Sequence, residues 1–202
     1  MPERASHPRG LEYELRNKGI QFTFVKYKMQ IQMTIGQELL QELMLEARVT
    51  RRFLSNVPFD KLEFKPAETS ETLGRLAVHV AEIVAWWTSV IETNKLDFID
   101  FEPEPISTQA ELLSYFDRLL VAAKRSLENV KDEEFSNTWS MTHGEDVLFT
   151  LPKKQVIRLF CMNHLVHHRA QLGMYLRLLG VAVPASYGPS ADDDDVILIS
   201  PF

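Results

Sequence analysis

The chain has 202 residues, of which 45% are hydrophobic and 25% are charged, a composition typical of a globular protein with one main domain. Its single cysteine, Cys161, excludes an internal disulfide and a multi-cysteine metal site. The sequence contains no run of about 18 apolar residues, so we expect no membrane-spanning helix. The formal net charge of −6 argues against a nucleic-acid partner.

Residues 1–33 differ from the rest of the chain. They carry six Lys/Arg and three Asp/Glu, whereas the remaining residues carry 16 basic and 25 acidic side chains. The stretch IQFTFVKYKMQIQM alternates in polarity, as extended segments do. We predict a basic, extended N-terminal extension over 1–33 and a functional domain with a C-terminal tail over 34–202. A native start at Met29 or Met33, or an arm that packs on a partner subunit, would each explain the extension.

Three amphipathic helices are predicted in the first two thirds of the domain. The first covers TIGQELLQELMLEARVTRRFLSNV with Thr34 as its N-cap, and the second covers SETLGRLAVHVAEIVAWWTSVIET with Ser70 as its N-cap. A proline-containing loop, KLDFIDFEPEPIS, precedes the third helix. Thr108 and Glu111 have the spacing of a capping box at its start, and the helix is expected to end near Val130.

A fourth helix is predicted after a polar stretch, 131–151, that is compatible with a short hairpin or an irregular crossover. Pro152 suits the first turn of this helix and Gly180 suits the position just after its end. Four amphipathic helices with long connections predict an all-α fold, a four-helix bundle with a long crossover. We expect a cytoplasmic protein, because the N-terminal residues lack the apolar stretch of a signal peptide.

The fourth helix contains the sequence NHLVHHRAQL, with three of the six histidines of the chain. At about 100° per residue, His164 and His168 lie one turn apart near the middle of the predicted apolar stripe. The same projection places Arg169, Arg177, Gly173 and Met162 on the outward face. Two adjacent buried imidazoles are disfavoured as cations, and neutral imidazoles suit a divalent transition metal.

The other histidines are weaker candidates by sequence alone. His79 lies beside the apolar stripe of the second helix, where a histidine that simply hydrogen-bonds in the core is the more common case. His167 is placed at the edge of the stripe, close to the pair, and His143 in a surface loop. Glu82, one turn after His79, could reach the site as a general base, although a solvent-facing carboxylate is the simpler interpretation.

The first histidine in LAVHVAE, the element HLVHHRAQL and the following YLRLLGVAVPASYGPS together resemble the DinB-like / YfiT-like superfamily of four-helix-bundle metalloproteins, over roughly residues 34–192. The resemblance implies one divalent metal bound by His79, His164 and His168. Three imidazole ligands suit zinc, nickel, iron or copper. It also implies a homodimer. Some superfamily members are thiol-dependent transferases or isomerases that use low-molecular-weight thiols, and others are described as metal-dependent hydrolases.

The resemblance leaves the reaction open. A metal-dependent transferase or hydrolase acting on a small molecule, possible because three protein ligands leave coordination positions open, is one interpretation. A non-catalytic metal- or ligand-binding or stress-response protein is another, and a structural bundle with polar-core histidines is the third. No catalytic residue is assigned, and neither a nucleic acid nor a membrane is an expected partner. The acidic run DDDD at 192–195 lacks the glycine and glutamate of an EF-hand loop, so a solvated acidic turn is expected there.

Overall fold

A computed structural model describes residues 33–195 and shows a mainly helical protein with one small sheet. A π-helical segment, Ile157–Asn163, joins the last two helices without a break, and short 3-10 turns occupy Phe59–Lys61 and Asp132–Ser136. The helices and strands are α1 (Ile35–Ser55), α2 (Leu73–Glu92), β1 (Lys95–Asp97), α3 (Gln109–Asn129), β2 (Thr138–His143), β3 (Asp146–Pro152), α4 (Lys153–Val156) and α5 (His164–Leu178). The predicted extension, residues 1–33, lies outside the described range apart from Met33.

Local capping signals start two of the helices where the sequence predicts. The Thr34 side chain accepts from the backbone N–H of Gln37, whose side chain in turn accepts from the Thr34 backbone. Thr108 and Glu111 form the same reciprocal pair at the start of α3. These capping boxes satisfy N–H groups that have no partner within the helix. The second helix begins later than predicted, because Thr72 rather than Ser70 caps it.

The long helices share one hydrophobic core. Leu43 of α1, Val80 of α2, Phe116 of α3 and Leu176 of α5 are all fully buried in it. Helix α2 packs against both α3 and α5, so its inward face is the natural partner of the histidine-containing helix. No helix in the described range is long and apolar enough to cross a membrane.

The all-α prediction is wrong in one respect, because the connections after α2 and α3 supply a three-stranded sheet in the order β1-β2-β3. Strand β1, in the segment predicted to be a loop, pairs in parallel with β2. Strands β2 and β3 form an antiparallel hairpin, one of the two alternatives for residues 131–151. Gly144 lies in its turn with φ of 61°, a left-handed conformation that glycine adopts without steric cost.

The fourth predicted helix is a composite of three segments. Pro152 precedes α4, and Gly180, with φ of 69°, follows α5, as predicted. Between them, the π-helical geometry is evident where the backbone N–H of His164 donates to the carbonyl of Leu159, five residues earlier. Such π-helical turns are rare and frequently accompany functional sites. Here the segment ends at the first histidine of the pair.

Candidate metal centre

His79 of α2 and His164 and His168 of α5 form one cluster in the structure. Each offers a ring nitrogen, and these three atoms lie within 4.8 Å of one another. Nε2 of His79 is 3.3 Å from Nε2 of His164, and the His168 ring centroid lies 4.6 Å from that of His79. The three side chains are only partly buried, so the cluster lies between the core and solvent.

The position of the pair on α5 differs from the predicted one. The buried stripe is centred on Leu165, Leu172 and Leu176, and the two histidines lie at its edge. Of the four residues predicted to face outward, only Arg177 is exposed; Met162, Arg169 and Gly173 are buried.

Close packing of α5 against α1 accounts for two of these differences. Gly173 faces Phe53, where an added Cβ would lie 2.9 Å from the ring, so only a glycine fits without a shift. Arg169 is 2% exposed and forms an ion pair of 2.6 Å with Glu46, while its guanidinium also donates to Thr50 and Tyr187. A helical projection treats an arginine as solvent-facing and does not anticipate an internal partner.

Two polar side chains orient the imidazoles. Nδ1 of His168 lies 2.7 Å from Oε1 of Gln171, and Nδ1 of His79 lies 3.5 Å from Oε2 of Glu82. Both acceptors favour a proton on Nδ1, so the lone pair of each ring lies on Nε2 and is available to a metal. Hydrogen bonds of this kind fix the tautomer and orientation of histidine ligands in metal sites.

Burial and mutual repulsion keep the α5 pair neutral. Burial, followed by the neighbouring His168 and His79, lowers the pKa of His164 to about 4. The Phe160 carbonyl opposes this shift, although it lies outside standard hydrogen-bond geometry with the buried Nδ1 of His164. Burial also lowers the pKa of His168, against the opposing effect of Gln171. Neutral rings with available lone pairs are what a divalent metal requires.

Glu82 is not the solvent-facing carboxylate that the simpler interpretation suggested. It is 3% exposed, and its Oε2 lies 3.0 Å from the Arg75 guanidinium as well as near His79. Burial alone would raise its pKa, but the hydrogen bond to His79 and the charge of Arg75 together outweigh this effect and hold the pKa below its ordinary value. Glu82 is therefore suited to orienting His79 rather than to accepting a proton near neutral pH.

A cavity of about 390 Å³ adjoins the cluster. His79 and His168 form part of its wall together with Arg75, Gln171 and Tyr175. Tyr175 is held in place because its hydroxyl donates to the Glu71 carbonyl at 3.1 Å. The cavity gives a small molecule access to two of the three imidazoles.

Aromatic side chains pack against His164 of the cluster. The Trp86 ring lies 5.2 Å from the His164 ring and 5.7 Å from Phe98, whereas Trp87 is buried in the core. The two adjacent tryptophans thus have different roles, since only Trp86 packs on a histidine of the cluster.

The remaining candidates lie outside the cluster. His167 is exposed and contacts only the edge of the site through the His168 ring, and His143 lies at the exposed end of β2. Cys161 is completely buried, and burial raises the pKa of its thiol, as expected for inert packing.

The acidic run near the C-terminus is largely exposed, as expected, and two of its carboxylates also make contacts within the fold. Asp192 accepts from the Val183 backbone and pairs with Arg177, and Asp193 pairs with Arg52. These contacts fasten the segment after α5 to α1 and α5. They use the carboxylates within the fold, and the structure offers no calcium loop among these described residues.

The donor set fits a transition metal. Tetrahedral zinc with Zn–N bonds of about 2.0–2.1 Å requires nitrogen atoms about 3.3–3.4 Å apart. The separation of 3.3 Å between Nε2 of His79 and Nε2 of His164 already matches one edge of that tetrahedron. The third nitrogen, within 4.8 Å of the others, needs only a modest ring movement. Three imidazoles also leave room for a further ligand from the cavity side.

A helical fold with a three-histidine cluster beside an open cavity defines this molecule as a protein with a candidate metal centre. Among known families, the model of the DinB family matches residues 29–195. The chain belongs to the DinB family.

Relatives and solved structures agree with this assignment. The uncharacterized protein YrdA of Bacillus subtilis (strain 168) is 25% identical over 151 residues, which cover 73% of this chain and 85% of YrdA. A DinB-like protein, YjoA, from Bacillus subtilis superposes with a TM-score of 0.56 at 19% identity, over 71% of this chain and 92% of that one.

A further DinB family structure, from Exiguobacterium sibiricum 255-15, superposes with a TM-score of 0.56 at 22% identity, over 74% of this chain and 95% of that one. At these identities the likeness establishes the shared fold. The function must be argued from the site itself.

Proposed function

We propose that this protein binds one divalent transition metal through His79, His164 and His168 and acts as a metal-dependent enzyme on a small-molecule substrate. The observation that carries the proposal is the geometry of the cluster. The three imidazoles converge. Those of His79 and His168 border a cavity that substrate can enter. A metal held in this way supplies Lewis acidity and lowers the pKa of a water or thiol that binds at its open positions.

The protein side chains supply orientation. Gln171 and Glu82 hold His168 and His79 with their Nε2 atoms available, and Trp86 packs against His164. Gln171 and Tyr175 offer polar groups along the cavity wall for a bound substrate. In this arrangement the protein excludes solvent on the core side of the cluster and admits ligand from the cavity side.

Between the two reaction classes, the site favours a thiol-dependent transferase over a hydrolase. Glu82 is the carboxylate in contact with a cluster histidine, and its ion pair with Arg75 and lowered pKa make it a weak base. A hydrolase whose metal-bound water is assisted by a general base finds no strong one among the described residues that contact the cluster. A thiol is acidic enough to ionise at a metal without such a base, so the chemistry of low-molecular-weight thiols fits these residues better.

The test begins with metal content. Purified protein should contain about one divalent metal per chain by mass spectrometry, and a His164→Ala/His168→Ala variant should contain none. His167→Ala is the matched control, because His167 is adjacent in sequence but exposed and outside the cluster. Absence of metal from the wild type after reconstitution would contradict the proposal and favour a polar-core role for the histidines.

Activity then separates the reaction classes. The metal-loaded protein should transfer low-molecular-weight thiols to an electrophile such as 1-chloro-2,4-dinitrobenzene faster than the double variant does. Ester hydrolysis without thiol dependence would instead support the hydrolase. Metal binding with neither activity would favour a non-catalytic binding protein. Sedimentation of the metal-loaded protein would test the predicted homodimer.

A further inference from the structure

Arg75 lies at the boundary between two cavities. It forms part of the wall of the 390 Å³ cavity beside the histidines, and it also borders a second cavity of about 250 Å³. The second cavity lies between α2, the turn at Phe59–Lys61 and the segment that leads into α3. Its apolar wall is formed by Phe59, Leu62, Val78, Ile106 and Leu112.

The guanidinium of Arg75 uses only some of its hydrogen-bond donors within the described residues. Its side chain is 31% exposed, and one terminal nitrogen donates to Glu82 at 3.0 Å. Within residues 33–195, its other side-chain nitrogens make no hydrogen bond to the protein. A guanidinium presents five N–H donors in a planar fork that matches a carboxylate. Glu82 therefore holds one end of the Arg75 guanidinium and leaves its other N–H groups able to bind a ligand.

Position along α2 makes Arg75 reachable by a molecule bound at the cluster. Arg75 precedes His79 by one helical turn, so their Cβ atoms are about 5–6 Å apart. A ligand of modest size can thus contact a metal at the histidines with one group and Arg75 with another. The second cavity would accept a further apolar group, since a cavity of about 150 Å³ is enough to hold benzene.

We infer that the substrate of the proposed enzyme carries a carboxylate that binds Arg75 and an apolar group, of the size of a phenyl ring, that occupies the second cavity. This inference rests on the proposed function, which places the reacting group at the metal. Arg75 would then determine specificity for acidic substrates without taking part in the chemistry.

Acidic side chains near the same cavities offer the main alternative. Glu63 and Glu104 border the second cavity, but both are exposed, and Glu104 pairs with Arg118 at 3.4 Å. Solvent screens exposed carboxylates, whereas the half-buried Arg75 acts at shorter range and in less water. If these glutamates dominated instead, a ligand with an amine in place of the carboxylate would bind more tightly.

The test uses four thiols that share one metal-binding group, with zinc-loaded protein and calorimetric titration. The reference probe, 2-benzyl-3-mercaptopropanoate, has the carboxylate and the phenyl ring. Its carboxamide removes the charge, 3-mercaptopropanoate removes the ring, and 2-benzyl-3-mercaptopropylamine reverses the charge. The reference probe should bind roughly tenfold more tightly than the carboxamide and the ring-free acid, in line with one charged hydrogen-bonded contact and one buried ring.

Variants test which residue causes the preference for the acid and which causes the preference for the benzyl group. Arg75→Gln should abolish the preference for acid over amide, Arg75→Lys should retain part of it, and Arg118→Gln, a nearby exposed arginine, should leave it unchanged. Val78→Phe should fill the second cavity and abolish the advantage of the benzyl group while sparing the acid-to-amide ratio. Ratios between probes are compared within each variant, so a general loss of stability cancels.

Three results would overturn the inference. They are equal binding of acid and amide by the wild type, an unchanged ratio in Arg75→Gln, and tighter binding of the amine. One zinc per chain together with any of these would leave the proposed metal centre standing. A protein that binds no zinc would remove both.

Discussion

Nδ1 of His168 lies 2.7 Å from Oε1 of Gln171, three residues further along α5. An amide oxygen can only accept a hydrogen bond, so the proton of the imidazole lies on Nδ1 and the lone pair on Nε2. The i, i+3 spacing on the helix builds this contact from local sequence alone. In this tautomer the lone pair on Nε2 of His168 is free to bind the proposed metal.

We predict that Gln171→Leu weakens zinc binding roughly 10- to 100-fold, because loss of an orienting hydrogen bond typically has this effect. Gln171 is exposed, so the thermal stability of the metal-free protein should change little. Competition with a chromophoric chelator gives the dissociation constant. Gln171→Glu, which retains the acceptor oxygen, is the control, and equal losses in both variants would contradict an orienting role.

Replacement of Glu82 should affect both stability and metal binding. Glu82→Gln keeps the shape of the side chain but removes the charge that balances the half-buried Arg75 and orients His79. We expect the free energy of unfolding to fall by about 1–3 kcal/mol and zinc affinity to fall roughly 10-fold or more. Urea denaturation with and without zinc separates the two effects. The idea fails if zinc affinity is unchanged while stability falls.

Acid should destabilise the metal-free protein in a window set by His164. In the unfolded chain this residue binds its proton near pH 6.5, whereas in the folded protein its pKa is about 4. The unfolded state therefore binds more protons between these values, and stability decreases as the pH falls from about 6.5 to about 4. Below that window His164 contributes no further change, and the lowered pKa of Glu82 adds its own loss at pH values below its ordinary range.

Denaturation at a series of pH values checks this dependence. His164→Gln removes the titrating group but keeps a polar side chain, so its stability should vary less between pH 6.5 and 4. An identical slope in the variant and the wild type would show that His164 does not cause the acid sensitivity.

Loss of one member of the buried ion pair between Arg169 and Glu46 should be strongly destabilising. Removal of one member leaves the other charge unpaired and poorly hydrated, because the side chain of Arg169 is 3% exposed and that of Glu46 is 15% exposed. Arg169→Leu should lower the free energy of unfolding by about 3 kcal/mol or more. Tyr187→Phe, which removes only the hydroxyl that contacts both residues, should cost about 1 kcal/mol.

The same variants report on the C-terminal segment. Tyr187 lies after α5, and its hydroxyl connects that segment to α1 through Glu46. Limited proteolysis should therefore cut near Tyr187 sooner in Arg169→Leu than in the wild type. Equal cleavage rates, with equal stability, would show that Arg169 does not hold the C-terminal segment in place.

Local signals in the sequence were sufficient for much of the helical framework. The capping boxes at Thr34 and Thr108 depend on residues three apart, and the turn at Gly180 depends on one backbone conformation. The convergence of His164 and His168 follows from helical spacing. The inclusion of His79 depended on the resemblance to a known family, since nothing in its own helix distinguishes it from a core histidine.

The missed features depend on contacts between distant parts of the chain. Strand β1 is only three residues long and is defined by its pairing with β2. Arg169 is buried beside Glu46, which is 123 positions away. The burial of Glu82 is the exception, because its partner Arg75 is only seven residues earlier on α2. From sequence alone, a charged residue is predicted to face solvent unless its ion-pair partner is known. Glu82 gave one usable signal, its spacing of three from His79 and seven from Arg75 on one face of α2.

The π-helical segment Ile157–Asn163 makes the length of this part of the chain a functional property. A π-helical turn holds one residue more than the α-helical turn that it replaces. If the same residues wound as regular α-helix, α5 would turn by about 100°, one α-helical step, relative to α4. Either the histidines would turn away from His79, or Lys153 would leave its buried contacts with Glu134 and the Ile91 carbonyl. The wide turn therefore absorbs one residue and lets α4 hold Lys153 while α5 presents its histidines to His79.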